Sequence, residues 1–74
     1  RVEKIESIYR SGQAAYLELI AFFPDFPEAY LPLASFYEVF EQYDEAIAVY
    51  QQVLDLDADN AIAIEGLSRL TEDS

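Results

Sequence analysis

The chain repeats its own pattern of residues after 34 positions, and this period constrains the fold more than any other feature. When the sequence is shifted by 34 positions and compared with itself, aromatic residues meet aromatic residues and small residues meet small ones. The matched pairs include Tyr9/Tyr43, Gly12/Ala46, Tyr16/Tyr50, Leu19/Val53, Ile20/Leu54, Asp25/Asp59, Ala29/Ala63 and Leu33/Leu67. Such a period is typical of proteins built from stacked copies of one supersecondary unit.

One whole unit, residues 27–60, carries two amphipathic stripes with helical spacing. The first stripe consists of Tyr30, Leu33, Ala34 and Tyr37, and the second of Tyr43, Ala46, Ile47, Tyr50, Val53 and Leu54. Apolar residues at positions i, i+3, i+4 and i+7 lie on one face of a helix. Glu41 and Gln42 separate the stripes, so the sequence predicts a helical hairpin whose second helix runs from Tyr43 to Leu56. Its first helix is predicted to begin near Asp25, which forms an acidic capping box with Glu28.

Helices are also predicted on either side of this hairpin. A seam with spacings of four and three residues runs through residues 2–23, and Pro24 and Pro27 end that helix. Gly12 lies within the seam, where a neighbouring helix can pack against bare backbone. Asp59 is the predicted N-cap of a last helix that ends near Leu70, and residues 71–74 are predicted to form a polar, frayed tail.

Residues 27–60 resemble one complete tetratricopeptide repeat (TPR), a helix–turn–helix unit of 34 residues. The resemblance rests on Tyr30, the pair Leu33-Ala34, Tyr37, the run Asp44–Ile47, and Tyr50 with Val53. Glu41 replaces the usual Gly, Ala58 the usual Pro, and Val53 a small Ala. The resemblance implies an all-α fold of antiparallel helix hairpins, stacked as a short right-handed solenoid of about four helices. The expected single domain, 1–74, comprises the second half of a repeat (1–26), one complete repeat (27–60), and a further first or capping helix plus tail (61–74).

Composition argues against several classes of function. The chain has no Cys and no His, so disulfides, thiolate metal sites and His-based catalysis are not predicted. No Gly-rich phosphate loop occurs, and no carboxylate is isolated in an apolar stretch. We therefore predict a non-enzymatic protein without a cofactor or metal, and the sequence points to no particular cellular compartment. The net charge of −11 argues against nucleic acid, and no apolar run approaches the ~20 residues that membrane insertion needs.

A short aspartate run imitates part of a calcium-binding loop. Asp55, Asp57 and Asp59 have the spacing of the first three ligands of an EF-hand. However, Asn60 replaces the Gly of the sharp turn, and Glu65 comes one residue too early to close the loop. We interpret the aspartates as part of a helix end and cap.

The TPR resemblance also implies a groove, lined by the first helix of each repeat, that holds a segment of a partner protein. The groove residues it implies are Glu28, Leu31, Ser35, Glu38, Val39, Glu65 and Arg69. These lie off the apolar stripe of the hairpin and are therefore expected to be free. Together they form an aliphatic strip bordered by carboxylates, which suits a basic or amphipathic segment. Because Leu31 and Ser35 occupy places where a carboxylate clamp needs Lys and Asn, we expect no binding of acidic chaperone tails.

An alternative is that the chain self-associates, or is a permanently docked subunit of a larger complex. Fewer than three repeats are present, and the helix of residues 2–23 lacks a first-helix partner. Leu17 and Phe22 are the residues expected to mediate a homodimer or larger complex, because exposed apolar surface usually marks an interface. A regulatory appendage of an enzyme is a third hypothesis.

Overall fold

A computed structural model describes the backbone of residues 2–72 and the side chains of residues 4–72. Four helices follow one another, namely α1 (Val2–Phe22), α2 (Pro27–Val39), α3 (Tyr43–Leu56) and α4 (Ala61–Glu72). No strand occurs in the described part of the chain. The all-α prediction is therefore confirmed, and the predicted boundaries of α3 match the observed ones.

Each helix packs against the helix that precedes or follows it in the chain. Helices α2 and α3 form the central hairpin, α1 packs on α2, and α4 packs on α3. The core lies along the hairpin, at Leu33, Ala34, Tyr37, Ala46, Val49, Tyr50, Val53 and Ala63. Ala34 and Ala46 are completely buried. Because both side chains are small, the backbones of α2 and α3 can approach closely at this point.

Helix α2 begins later than the sequence predicts, and the capping box of Asp25 and Glu28 is wrong. The N-cap is Phe26, with extended backbone angles and no side-chain cap hydrogen bond. Proline favours the first turn of a helix and pushes the residue before it away from helical angles. Pro27 therefore sets the start of α2, and Asp25 falls in the preceding turn.

The turn between α2 and α3 uses a left-handed residue at Glu41, whose φ is 60°. The Glu41 amide donates to the carbonyl of Glu38 at 2.9 Å, and the Gln42 amide donates to the carbonyl of Tyr37 at 2.8 Å. These two bonds define the Schellman motif, which ends many helices and favours Gly at the left-handed position. The sequence therefore places Glu in a conformation that suits Gly.

Helix α4 differs from its prediction at both ends. The predicted N-cap Asp59 is wrong, because Asn60 caps α4: its Oδ1 accepts a hydrogen bond from the Ala63 amide at 3.0 Å. The helix continues to Glu72, so the predicted tail is wrong for its first two residues, and residues 73–74 lie outside the described part. The Thr71 hydroxyl donates to the carbonyl of Leu67 at 2.7 Å, which lets this polar residue stay within the helix.

Helix α2 continues through Pro32 without a break. The close packing predicted at Gly12 is confirmed. At Gly12, a Cβ atom would lie 2.6 Å from Cε1 of Phe36, so a ring of α2 packs directly on the backbone of α1.

Candidate functional site

The residues of the predicted groove lie on α2 and α4. On α2, Glu28, Ser35 and Val39 are exposed, and Leu31 is half-buried. Val39 is 77% exposed, although it is apolar. On α4, Glu65 and Arg69 are exposed. The accessible members of the set thus carry one base, two carboxylates and apolar groups.

Glu38 and Arg69 are not free, so that expectation is wrong for both residues. The side chain of Glu38 is only 18% exposed, and its Oε1 accepts a hydrogen bond from Nη1 of Arg69 at 2.5 Å. The other carboxylate oxygen, Oε2, accepts a hydrogen bond from the Tyr50 hydroxyl at 2.5 Å. The three residues come from α2, α3 and α4, so this cluster joins three consecutive helices. We call it the Glu38–Tyr50–Arg69 cluster.

The cluster shifts the pKa of each of its members. Burial opposes the ionisation of Glu38, but the hydrogen bonds from Arg69 and Tyr50 and the charge of Arg69 outweigh it, so the pKa of Glu38 is lowered. Burial is the main cause of the raised pKa of Tyr50, and the hydrogen bond to Glu38 adds to it. The hydrogen bond to Glu38 also raises the pKa of Arg69. Glu38 is therefore held as a carboxylate, with Tyr50 neutral and Arg69 charged.

Sequence reasoning missed the role of Tyr50, which it assigned to the core alone. One signal was available, because Arg69 is the only basic residue after position 10. A single cation among many carboxylates is expected to form an ion pair with one of them. The 34-residue register places α4 beside the preceding hairpin, but it does not indicate which carboxylate Arg69 reaches.

Arg69 lies between two open clefts. The first cleft, of about 570 Å³, is bordered by Glu38, Tyr43, Asp44, Ile47, Leu70 and Arg69, among others. The second, of about 530 Å³, follows α4 and is bordered by acidic side chains at Asp59, Glu65 and Glu72, together with Ile64, Ser68 and Arg69. Both clefts combine carboxylates with aliphatic groups, which suits side chains that end in an ammonium or guanidinium group.

Leu17 and Phe22, predicted as a self-association pair, are not brought together. They are 47% and 71% exposed, respectively. Five positions along one helix place them on different faces of α1. Phe22 shares its side of the helix with exposed Leu19 and Ile8, whereas Leu17 lies apart from these residues.

One of the aspartates before α4, Asp57, has a structural partner. The Asp57 carboxylate accepts a hydrogen bond from the side-chain amide of Asn60 at 3.4 Å, beside the cap of α4. In the described residues, no group of three acidic side chains lies close enough together to hold a metal ion. None of the four described helices combines the length and the apolar character that crossing a membrane requires.

Comparison with protein families gives one match. The family model for the tetratricopeptide repeat matches residues 27–70, which are 44 of the 74 residues. Neither curated proteins nor solved structures gave a significant match. Members of the matched family generally mediate protein–protein interaction and are generally not catalysts. The match covers more than half of the chain, and the structure consists of consecutive helices, as the helix–turn–helix repeat requires. The chain therefore belongs to the tetratricopeptide repeat family.

Proposed function

We propose that the chain is a non-catalytic interaction module, and that it holds a basic, amphipathic segment of a partner protein along α2 and α4. The observation that carries this proposal is the exposed strip in which Val39 lies on the same side of α2 as Glu28 and Ser35. Val39 is 77% exposed, so burying its apolar surface against a partner would contribute favourable free energy to binding. The carboxylates beside it favour a partner that carries Lys or Arg.

The charge of the chain supports a basic partner. The net charge is −11, so a cationic segment is attracted from a distance, and the attraction weakens as salt screens it. Within the strip, Glu38 is already paired with Arg69. We therefore assign the electrostatic attraction to Glu28 and Glu65, and we assign to Glu38 the task of fixing α4 beside α2.

The proposal also includes the division into repeats. Residues 1–26 form the second half of one repeat, residues 27–60 a complete repeat, and residues 61–74 the first helix of a further one. In this division α2 and α4 occupy equivalent places, so their exposed faces form one continuous surface. A right-handed stacking of these units would bend that surface into a groove.

A binding experiment with a designed peptide tests the proposal. The probe is a fluorescent amphipathic helix with Leu on one face and Lys on the other, and the control peptide carries Glu in place of every Lys. We expect saturable binding of the Lys peptide that weakens with added salt, and no binding of the Glu peptide. No saturable binding of the Lys peptide, or equal binding of both peptides, would contradict the proposal.

Matched variants locate the binding surface. The double variant Glu28→Gln/Glu65→Gln removes two carboxylates from the proposed groove and is expected to weaken binding severalfold. The control Glu18→Gln/Asp55→Asn removes the same charge from exposed positions of α1 and α3. Equal losses in the two variants would assign the attraction to net charge and would exclude a specific groove on α2 and α4.

The second candidate function is self-association, which a different observation favours. Apolar side chains of α1 that do not face α2 are exposed, Ile8 at 57% and Phe22 at 71%. This surface is separate from the proposed groove, so the two functions are compatible.

A further inference from the structure

Glu38 differs from the other carboxylates of the proposed groove in its surroundings. Glu28 and Glu65 are exposed to water, whereas the side chain of Glu38 is only 18% exposed. Its Oε2 accepts a hydrogen bond from the Tyr50 hydroxyl at 2.5 Å, which holds the carboxylate in one orientation. A carboxylate that is partly removed from water and already oriented attracts a cation more strongly than a fully hydrated one. Glu38 is therefore the carboxylate of the groove that is best suited to bind a cation.

A guanidinium group of the same chain already occupies this position. Nη1 of Arg69 donates to Oε1 of Glu38 at 2.5 Å. The Arg69 side chain nevertheless remains 55% exposed. The structure thus shows that Glu38 and Tyr50 together accommodate the end of a long cationic side chain, most of which stays in contact with water.

We propose that Glu38 and Tyr50 form the site that receives a Lys or Arg side chain of the partner, and that Arg69 occupies this site until the partner displaces it. Arg69 is then an autoinhibitory contact, because it competes with the partner's cation. This inference rests on the proposed function, since it assigns a cation-binding site within the same groove. Glu38 fixes α4 beside α2 in the free chain and binds the partner's cation in the complex.

The exposed strip on α2 brings a partner close to this site. Ser35 lies three residues before Glu38, and Val39 is the residue after it; both are exposed. Residues three apart on a helix are neighbours on its surface. A partner helix that covers Ser35 and Val39 therefore lies next to the Glu38 carboxylate, within reach of a Lys or Arg side chain.

Displacement of Arg69 is expected to require little free energy. Its guanidinium group is largely in water, so the ion pair with Glu38 is the kind that contributes little to stability. Glu72 lies three residues after Arg69 on α4 and is exposed. Because this spacing makes the two side chains neighbours on the helix surface, Arg69 can form an ion pair with Glu72 after it leaves Glu38.

Helix α4 has contacts with α3 that do not depend on Arg69. The ring of Tyr50 lies so close to Gly66 that a Cβ atom there would be 2.5 Å from Cζ of the tyrosine. Ala63 is completely buried in the core. Release of Arg69 therefore opens the cation-binding site and leaves α4 packed on α3.

Binding of the Leu/Lys peptide to two matched variants tests the competition. Arg69→Gln removes the competing cation, and Arg10→Gln removes the same charge from an exposed position of α1. Arg69→Gln is expected to bind the peptide severalfold more tightly than the wild type, and this gain should clearly exceed that of Arg10→Gln. Equal gains would assign the effect to net charge and would overturn the inference.

A second pair of substitutions, made in the Arg69→Gln variant, tests whether Glu38 is the site. Glu38→Gln keeps the shape of the side chain and an oxygen that can accept from Tyr50, but it removes the charge. It is expected to abolish the gain in affinity, whereas Glu18→Gln on exposed α1 should preserve most of it. A gain that survives Glu38→Gln, or that both substitutions abolish equally, would contradict the inference.

Nuclear magnetic resonance of the wild-type chain supplies a test that does not depend on the folding of a variant. The side-chain Nε–H signal of Arg69 is expected to shift as the peptide saturates the chain, while that of Arg10 stays unchanged. An unchanged Arg69 signal at saturation would overturn the inference and leave the groove itself intact. If neither the wild type nor folded Arg69→Gln binds the peptide, the proposed function fails as well, so the two failures are distinguishable.

Discussion

The ring of Tyr50 lies directly on the backbone of Gly66, so closely that a Cβ atom at Gly66 would be 2.5 Å from Cζ of the tyrosine. The Tyr50 hydroxyl donates to Glu38 at the same time. Helix α3 thus contacts α4 through the ring of Tyr50 and α2 through its hydroxyl. This tyrosine fixes the relative positions of the two helices that carry the proposed groove.

Overpacking a tight core costs about 1–3 kcal/mol, and Ala gains roughly 1 kcal/mol over Gly in a helix interior. The ring of Tyr50 cannot easily move aside, because its hydroxyl is bound to Glu38. Substitution of Gly66 by Ala is therefore expected to destabilise the fold by up to about 2 kcal/mol. Urea unfolding followed by circular dichroism measures the difference, and Ser11→Ala on exposed α1 is the control. A Gly66→Ala variant that is more stable than the wild type would show that the contact is loose.

Substitution of Glu41 by Gly is expected to stabilise the fold by about 0.5–1 kcal/mol. Glu41 has a φ of 60°, where a Cβ atom is unfavourable by roughly 1–2 kcal/mol. Part of that gain is lost because Gly is more disordered in the unfolded chain. The melting temperature should therefore rise for Glu41→Gly and fall for Glu45→Gly, which places Gly inside α3. A fall for both variants would argue against the left-handed turn.

Substitution of Asn60 by Ala is expected to cost about 0.5–2 kcal/mol, the usual effect of removing an N-cap. The Oδ1 atom of Asn60 accepts the hydrogen bond from the Ala63 amide at 3.0 Å, and Ala has no atom that can accept it. Asp59→Ala should leave the stability nearly unchanged, since Asp59 does not cap α4. If chemical unfolding showed equal losses of stability for the two variants, Asp59 would have to take part in capping α4.

Substitution of Tyr50 by Phe is expected to cost about 1.5–3 kcal/mol at neutral pH, because a hydrogen bond to a carboxylate is lost. It should also change the response to acid. The pKa of Glu38 is lower in the folded chain than in the unfolded chain. The stabilisation by Glu38 is therefore complete above the ordinary carboxyl pKa and is lost as the pH falls through the folded value.

In Tyr50→Phe the pKa of Glu38 should be less depressed, so this variant should lose less stability than the wild type as the pH falls. Unfolding curves at a series of pH values measure this difference. Tyr43→Phe, which removes a hydroxyl from a half-exposed ring at the start of α3, should follow the wild-type pH profile. Parallel profiles for Tyr50→Phe and the wild type would contradict a role of the hydroxyl in holding the carboxylate.

The fold could be predicted because one period repeats the same packing. Tyr16 and Tyr50 occupy equivalent positions, and the small residues Ala34 and Ala46 mark where helices approach. Features that depend on a single neighbouring atom were harder to predict. Either Asp59 or Asn60 can cap a helix, and only the position at which α4 starts decides between them.

The candidate site could be predicted less completely than the fold. Helical spacing places Glu38 off the apolar stripe, which led to the expectation that it is free. Its partner Arg69 lies 31 positions along the chain, and a pairing at that distance depends on how far α4 tilts towards α2. The exposed residues of the site, such as Val39 and Glu28, were predictable because helical spacing alone places them away from the core.

Titration of the ¹⁵N-labelled chain with the Leu/Lys peptide, followed by amide chemical shifts, tests the central claim most directly. The proposed groove predicts the largest shift changes at Leu31, Ser35 and Val39 of α2 and at Glu65 of α4. Changes confined to α1, or to the outer side of α3, would contradict it, as would the absence of changes at saturating peptide.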